Sequence, residues 1–175
     1  SINHPGYYYH GNSRGKSIMH AIESKEKDWT IADMQELQLQ NKSNEYKKNS
    51  EIIISKIDST ILDKEQLLIF NMLKNWKGDH ELNDASANVY YTLMYQSVKA
   101  IMEDELGEEN FKAFMATLIW ENSLPGILKN ENSVWYDNVN TEQKENMSDI
   151  LTASFIKTIE LLKLKYGENQ DNWAW

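Results

Sequence analysis

Trp76-Lys77-Gly78-Asp79, a short polar connection, and then Asp84-Ala85-Ser86-Ala87 running on to Leu106-Gly107 form the stretch that decides the fold. Ala87, Tyr90, Tyr91, Met94, Val98, Ile101 and Leu106 recur mostly at three- and four-residue steps, the period of one helical face. Asn88, Thr92, Gln96, Lys99 and Glu103 fall on the other side. Asp84 is suited to cap the helix, because its carboxylate can accept from the unpaired N–H groups of the first turn. Gly107 is suited to end it in a left-handed conformation. A helix of about 21 residues spans roughly 30 Å, the width of a small domain. Its wide apolar stripe requires other helices packed against it.

Outward from this helix, the same periodicity gives an all-α, irregular multi-helix domain of about six to seven helices. The 175 residues suit a single helical domain, with residues 1–11 as an extended lead-in and residues 12–175 as helices. Pro5, Gly6 and Gly11 punctuate the lead-in, which also carries Tyr7, Tyr8, Tyr9 and His10. We read the tyrosines as packing groups rather than a stacking platform. A first helix is expected from Ser13 to about Lys25, burying Ile18, Ala21 and Ile22. Thr30 with Asp33 forms an approximate capping box for a second. Its apolar face opens with Met34 and Leu37, turns polar at Gln38, Asn41 and Glu45, and becomes apolar again at Ile52, Ile53, Ile54 and Ile57. This is one long helix or two with a break near residue 49. The polar stripe reads as a solvent face. A helix from about Asp63 to Trp76 turns Leu67, Phe70, Leu73 and Trp76 inward. After Gly107, a further helix should carry Phe111, Phe114, Met115 and Leu118 to about Trp120, with Leu124-Pro125-Gly126 breaking it. Asn130 to Asn140 reads as a loop holding Trp135 and Tyr136. A last helix begins near Thr141, buries Met147, Leu151, Phe155 and Leu162, and stops at Gly167. No strand pattern or internal repeat is convincing.

Composition narrows the function classes. Hydrophobic residues make up 41% of the chain, and six Trp with nine Tyr can bury large areas. A net charge of −9 argues against nucleic-acid binding through a basic surface. No apolar run approaches the roughly 20 residues needed to span a bilayer, so no membrane contact is expected. No cysteine is present, hence no disulfide or thiolate chemistry. Ser1-Ile2-Asn3-His4-Pro5 is neither basic nor apolar, and the missing initiator methionine suggests a processed or excised chain. The histidines at 4, 10, 20 and 80 lack zinc-ligand spacing. Glu103, Asp104, Glu105, Glu108 and Glu109 read as a solvated helix end. No phosphate-binding, dinucleotide-binding or nucleophile-elbow motif occurs. The residues by themselves therefore describe an acidic helical domain without a self-contained active site.

Several stretches in order resemble the helical part of the catalytic β-chain of the penicillin amidase family of N-terminal nucleophile hydrolases. Trp29-Thr30-Ile31-Ala32-Asp33-Met34-Gln35-Glu36-Leu37-Gln38 is similar to the family's Trp-Thr-x-x-Asp-Met-x-x-Leu-Gln segment. Leu73-Lys74-Asn75-Trp76-Lys77-Gly78, followed by Asn83 to Ala87, resembles its Leu-x-x-Trp-Asp-Gly segment and following helix. Asn132-Ser133-Val134-Trp135-Tyr136-Asp137 resembles its Ser-x-Trp-Trp loop, and Gly167 to Trp175 the approach to its Trp-x-Trp-Gly-x-x-His segment.

The resemblance implies a piece of an αββα hydrolase that cleaves amide bonds, such as the acyl side chains of β-lactams or acyl-homoserine lactones. In that family a serine at the new β-chain N-terminus attacks, with its own α-amine as base; such pairing activates an otherwise weak hydroxyl nucleophile. Asn3, in Ile2-Asn3-His4-Pro5, resembles the family's oxyanion asparagine, and Arg14 its supporting arginine. Both types suit the chemistry, one donating to a developing oxyanion and one holding fixed charge beside it. Ser1 is not read as the nucleophile, because Ile2-Asn3 leads straight into the oxyanion-asparagine context. The Asn3-to-Arg14 connection contains no Asp, so the family's calcium ligand there has no counterpart and no cofactor is expected in this chain. Implied partners are the α-chain and β-sandwich of the same acylase and a small-molecule amide substrate. The implied location is periplasmic or secreted. The chain alone is expected to be inactive. The alternative is a helical interaction or structural module without catalysis.

Overall fold

The helix expected to follow the Asp84 cap spans Ser86–Leu106, 21 residues. The structure, a computed structural model, describes residues 13–25, 28–117 and 119–174. Among them are eight α-helices: α1 (Ser13–Ser24), α2 (Ile31–Leu39), α3 (Asn44–Lys56), α4 (Lys64–Asn75), α5 (Ser86–Leu106), α6 (Glu108–Met115), α7 (Ile119–Lys129) and α8 (Met147–Tyr166). Two 3-10 turns, Val134–Tyr136 and Gln170–Trp173, complete the order, and no strand occurs among the described residues. The fold is all-α, as expected, with eight helices rather than six to seven.

The extra helices come from breaks placed by side-chain chemistry. The α2–α3 break falls at residues 40–43, not near residue 49. Ser43 caps α3, its Oγ accepting from Tyr46 N–H at 3.2 Å, while Asn49 lies buried in mid-helix. Between α6 and α7 the break falls at Ala116 and Thr117. Thr117 Oγ1 donates to Phe114 O at 2.7 Å and accepts from Ile119 N–H at 3.2 Å. The expected break at Pro125 does not occur, and α7 runs through it. Proline removes one i→i−4 hydrogen bond, but Leu124 and Leu128, one turn apart and 1% and 2% exposed, hold the segment helical by burial. The last helix starts at Met147 rather than near Thr141, because Asn146 and Asp149 form its capping box.

α5 and α8 form the central pair, and α4, α6 and the Val134–Tyr136 turn also pack on α5. Val89, Tyr90, Leu93 and Ile101 of α5 and Leu151 and Phe155 of α8 are fully buried. Each such side chain contributes roughly 1.5–3 kcal/mol by leaving water. The polar side of α5 is half-buried rather than open, since neighbours cover the helix from several directions. Asp84 Oδ1 accepts from Ser86 N–H at 2.8 Å, the expected capping task, although helical backbone angles begin already at Ala85. Gly107, at φ +74°, ends α5 by donating to Glu103 O at 2.8 Å and opens α6.

Trp173 returns to the core at 0% exposure, its indole N–H donating to Gly167 O at 2.9 Å and its carbonyl accepting from Asn88. The N-terminal arm is different. Ile18 and Ala21 of α1 are half-buried and Ile22 is exposed, so the expected apolar side of this helix is not covered. No residue of α2 is buried.

Candidate functional site

Arg14 sits in the first turn of α1 and reaches the end of α2. Its Nη1 donates to Gln40 O at 2.6 Å, and its Nη2 to Gln38 O at 2.9 Å and Leu37 O at 3.4 Å. The last carbonyls of a helix have no intrahelical donor and carry the negative end of its dipole, so a guanidinium there satisfies both demands. Lys16 joins α1 to α3 through Glu45 at 2.7 Å. The stripe Gln38, Asn41, Glu45 is thus an engaged edge as well as a wet one: Asn41 Nδ2 donates to Glu81 Oε1 at 3.0 Å.

The far side of the same connection is held from the turn after α4. Ser43 N–H donates to Gly78 O at 2.8 Å. His80 places Nδ1 2.6 Å from Asn41 O and Nε2 2.8 Å from the Tyr91 hydroxyl on α5. Behind it the rings of Trp76 and Tyr90 lie 4.8 Å apart, and those of Tyr46 and Tyr91 5.6 Å apart. Arg14, Ser17, Tyr46 and His80 line a cleft of about 270 Å³ over this connection. Asn3 and Tyr7 to Tyr9 lie outside the described residues, so Arg14 alone of the two expected site residues has a defined place. Spacing alone gives no functional signal for His80, or for the Tyr91 hydroxyl, which lies on the apolar stripe of α5. The Trp76-to-Gly78 motif marks the turn, but not the helix junction it grips.

Charge is arranged locally. The Lys25 ammonium, 2.6 Å from Asp33, and then Thr30 hold the Asp33 carboxyl well below the usual carboxylate range. Burial pushes the Tyr90 phenol far above its ordinary value, with the Asn49 side chain opposing the rise. Burial also raises Tyr136 to about 12; its hydroxyl donates to Ile127 O at 3.0 Å. The acidic run around Gly107 is more than a solvated end. Asp104 Oδ2 accepts from Val139 N–H at 2.8 Å, and Glu108 pairs with Lys112 at 2.6 Å. Desolvation, and then the adjoining Asp104 carboxylate, push Glu105 up to about 7. Among the described residues no group of three or more His, Cys, Asp or Glu could hold a metal ion.

The fold and this cleft define a helical domain whose arginine is seated on the end of a surface helix. The chain matches the penicillin amidase family over residues 2–175 and belongs to that family. A stretch of 111 residues, 61% of this chain, is 27% identical to the acyl-homoserine lactone acylase QuiP of Pseudomonas aeruginosa and covers 13% of that protein. The proteins of the same name from Pseudomonas fluorescens and Pseudomonas syringae pv. syringae are 30% and 29% identical over 111 residues, again 61% of this chain and 14% of each. The match therefore spans a small part of these relatives' length. No solved structure gives a significant match.

Proposed function

We propose that this chain is the helical part of an N-terminal nucleophile hydrolase that cleaves the amide bond of an acyl-homoserine lactone or of an acylated β-lactam. The observation that carries the reading is the family match across residues 2–175, in which the motifs around Trp29, Trp76 and Trp135 lie. The serine nucleophile and its α-amine base come from outside this sequence. The serine hydroxyl attacks the amide carbonyl, its proton passes to the amine and on to the leaving nitrogen, and an acyl-enzyme is hydrolysed by water. Asn3 donates to the oxyanion, and Arg14 supplies fixed charge beside the site. The rest of the acylase packs on the α1–α2 arm. Ile31 and Leu39 there are 80% and 83% exposed, a face that supports a role as a docking surface. By the same resemblance the assembled protein is periplasmic or secreted, and this chain contributes no calcium ligand between Asn3 and Arg14.

The test compares the 175-residue chain with the complete acylase on an acyl-homoserine lactone and a chromogenic phenylacetyl amide. The chain alone should give no turnover. In the complete enzyme Asn3→Ala should lower kcat by about 100- to 1,000-fold, the usual loss for one oxyanion donor. Hydrolysis by the isolated chain that disappears with Ser1→Ala would overturn the reading.

A further inference from the structure

We propose that His80 is a positioning residue that sets the location of Arg14 through the α2–α3 connection. α2 has no buried residue, so apolar packing does not place its end. Its end is placed by hydrogen bonds on two sides. On one side Arg14 holds the carbonyls of Leu37, Gln38 and Gln40. On the other, His80 holds the carbonyl of Asn41, the very next residue, at 2.6 Å. A carbonyl can only accept, so Nδ1 carries the proton. In the neutral ring Nε2 then accepts from the Tyr91 hydroxyl at 2.8 Å. Tyr91 belongs to α5 and adjoins fully buried Tyr90, so the imidazole transmits the position of the central helix to the arginine's seat.

Two further observations make the link specific. Gly78 brings the turn close: it sits at φ +79°, and a Cβ there would lie 2.4 Å from Ser43 O. A left-handed glycine is thus required both by its backbone angle and by the approach of the connection. The His80 ring is also held edgewise by Trp76 and Tyr46, with centroids at 6.1 and 6.3 Å. The path Tyr91, His80, Asn41 carbonyl, Gln40 carbonyl, Arg14 is continuous in hydrogen bonds and one peptide unit. The geometric part of the proposal stands on these bonds; its catalytic consequence rests on the reading above that Arg14 serves the acylase site.

Arg14 is the chain's single arginine, so guanidinium nitrogen NMR reports on it without assignment ambiguity. In the 175-residue chain a seated guanidinium shows separate Nη signals. His80→Asn, whose amide nitrogen can take the place of Nδ1 but which does not reach the Tyr91 hydroxyl, broadens them no more than Tyr91→Phe does and less than His80→Phe. His80→Phe keeps the ring contacts without the donor and merges them by faster rotation. Tyr91→Phe, which deletes one hydroxyl, serves if His80→Phe fails to fold, and also broadens them. Signals unchanged in the folded His80→Phe or Tyr91→Phe protein, or already merged in the parent, overturn the proposal. In the complete acylase His80→Phe lowers kcat about 10- to 100-fold by misplacing Arg14, leaves KM within about twofold, and is partly rescued by His80→Asn, which restores the bond to the Asn41 carbonyl alone. If Arg14→Ala abolishes turnover while His80→Phe leaves kcat intact, the positioning proposal fails. If Arg14→Ala itself leaves kcat intact, the acylase reading of Arg14 fails, and the NMR result stands separately.

Discussion

The α5–α8 pair and the α1–α2 arm are both made of helices with apolar residues at helical spacing, yet they are held by opposite means. α5 and α8 bury residues along their whole length, from Ala87 to Met102 and from Met147 to Leu162. α2 buries none, and a nine-residue helix is marginal on its own in water. What keeps α2 in place is polar: the Thr30–Asp33 capping box, the Lys25–Asp33 ion pair and the Arg14 seat. Periodicity marks which residues can be buried, while neighbours decide whether they are. It also separates a stable core from an arm whose opening costs little, the regime from which moving and docking elements are drawn.

Phe155 is 0% exposed, with its ring edge-on to Phe70 at 6.2 Å. Phe155→Ala should lower the unfolding free energy by about 3–5 kcal/mol in urea titration. A loss below about 1 kcal/mol would mean that the α5–α8 packing is not the source of stability. Gly78→Ala, at the boundary between the two regions, should cost about 1–3 kcal/mol for the left-handed backbone alone. The clash with Ser43 adds to it, and amide exchange should speed up in α2 and the start of α3. Thr30→Ala should cost about 1 kcal/mol, felt as faster exchange within α2 with the global midpoint hardly moved. A matching drop in the global midpoint would tie the arm to the core after all.

The smallest effect concerns Glu105, whose raised value of about 7 compares with an ordinary 4.5. A raised carboxyl binds its proton more tightly in the folded chain. Its contribution is therefore full below pH 4.5, declines as pH rises from 4.5 to 7, and is gone above that window. Glu105→Gln removes this decline. The Tm difference between Glu105→Gln and the parent should widen in the variant's favour from pH 4.5 to pH 8; a constant difference would contradict the raised value.

The parts legible in the sequence were those governed by local rules. The α5 stripe, the Thr30–Asp33 capping box, a helix start near Asp63, and Gly107 and Gly167 as stops all follow from period, capping and left-handed backbone. At Pro125 a local rule meets a tertiary one: the burial of Leu124 and Leu128 outweighs one missing hydrogen bond, and α7 continues. Residues 141–146 carry polar groups compatible with a helix, so sequence alone does not mark the start of α8 at Met147. In fact Thr141 is folded onto Glu145 at 2.7 Å. At the site, Arg14 was reached through resemblance rather than chemistry. Its seat and His80's role depend on contacts spanning 24 and 39 residues, beyond any local pattern.

The α5–α8 pairing has a topological consequence. Ser154 Oγ donates to Gln96 O across 58 residues, and Asp58 N–H to Thr152 Oγ1 across 94. The core is thus a seam between two distant parts of the chain, and closing it carries the entropy of a long loop. The residues from 139 to 144 that bridge the approach to α8 are exposed. A protease nick there would turn that closure into an encounter between two molecules. The pieces should reassemble along the seam with a midpoint that depends on their concentration, a split pair whose recombination reports on the interface.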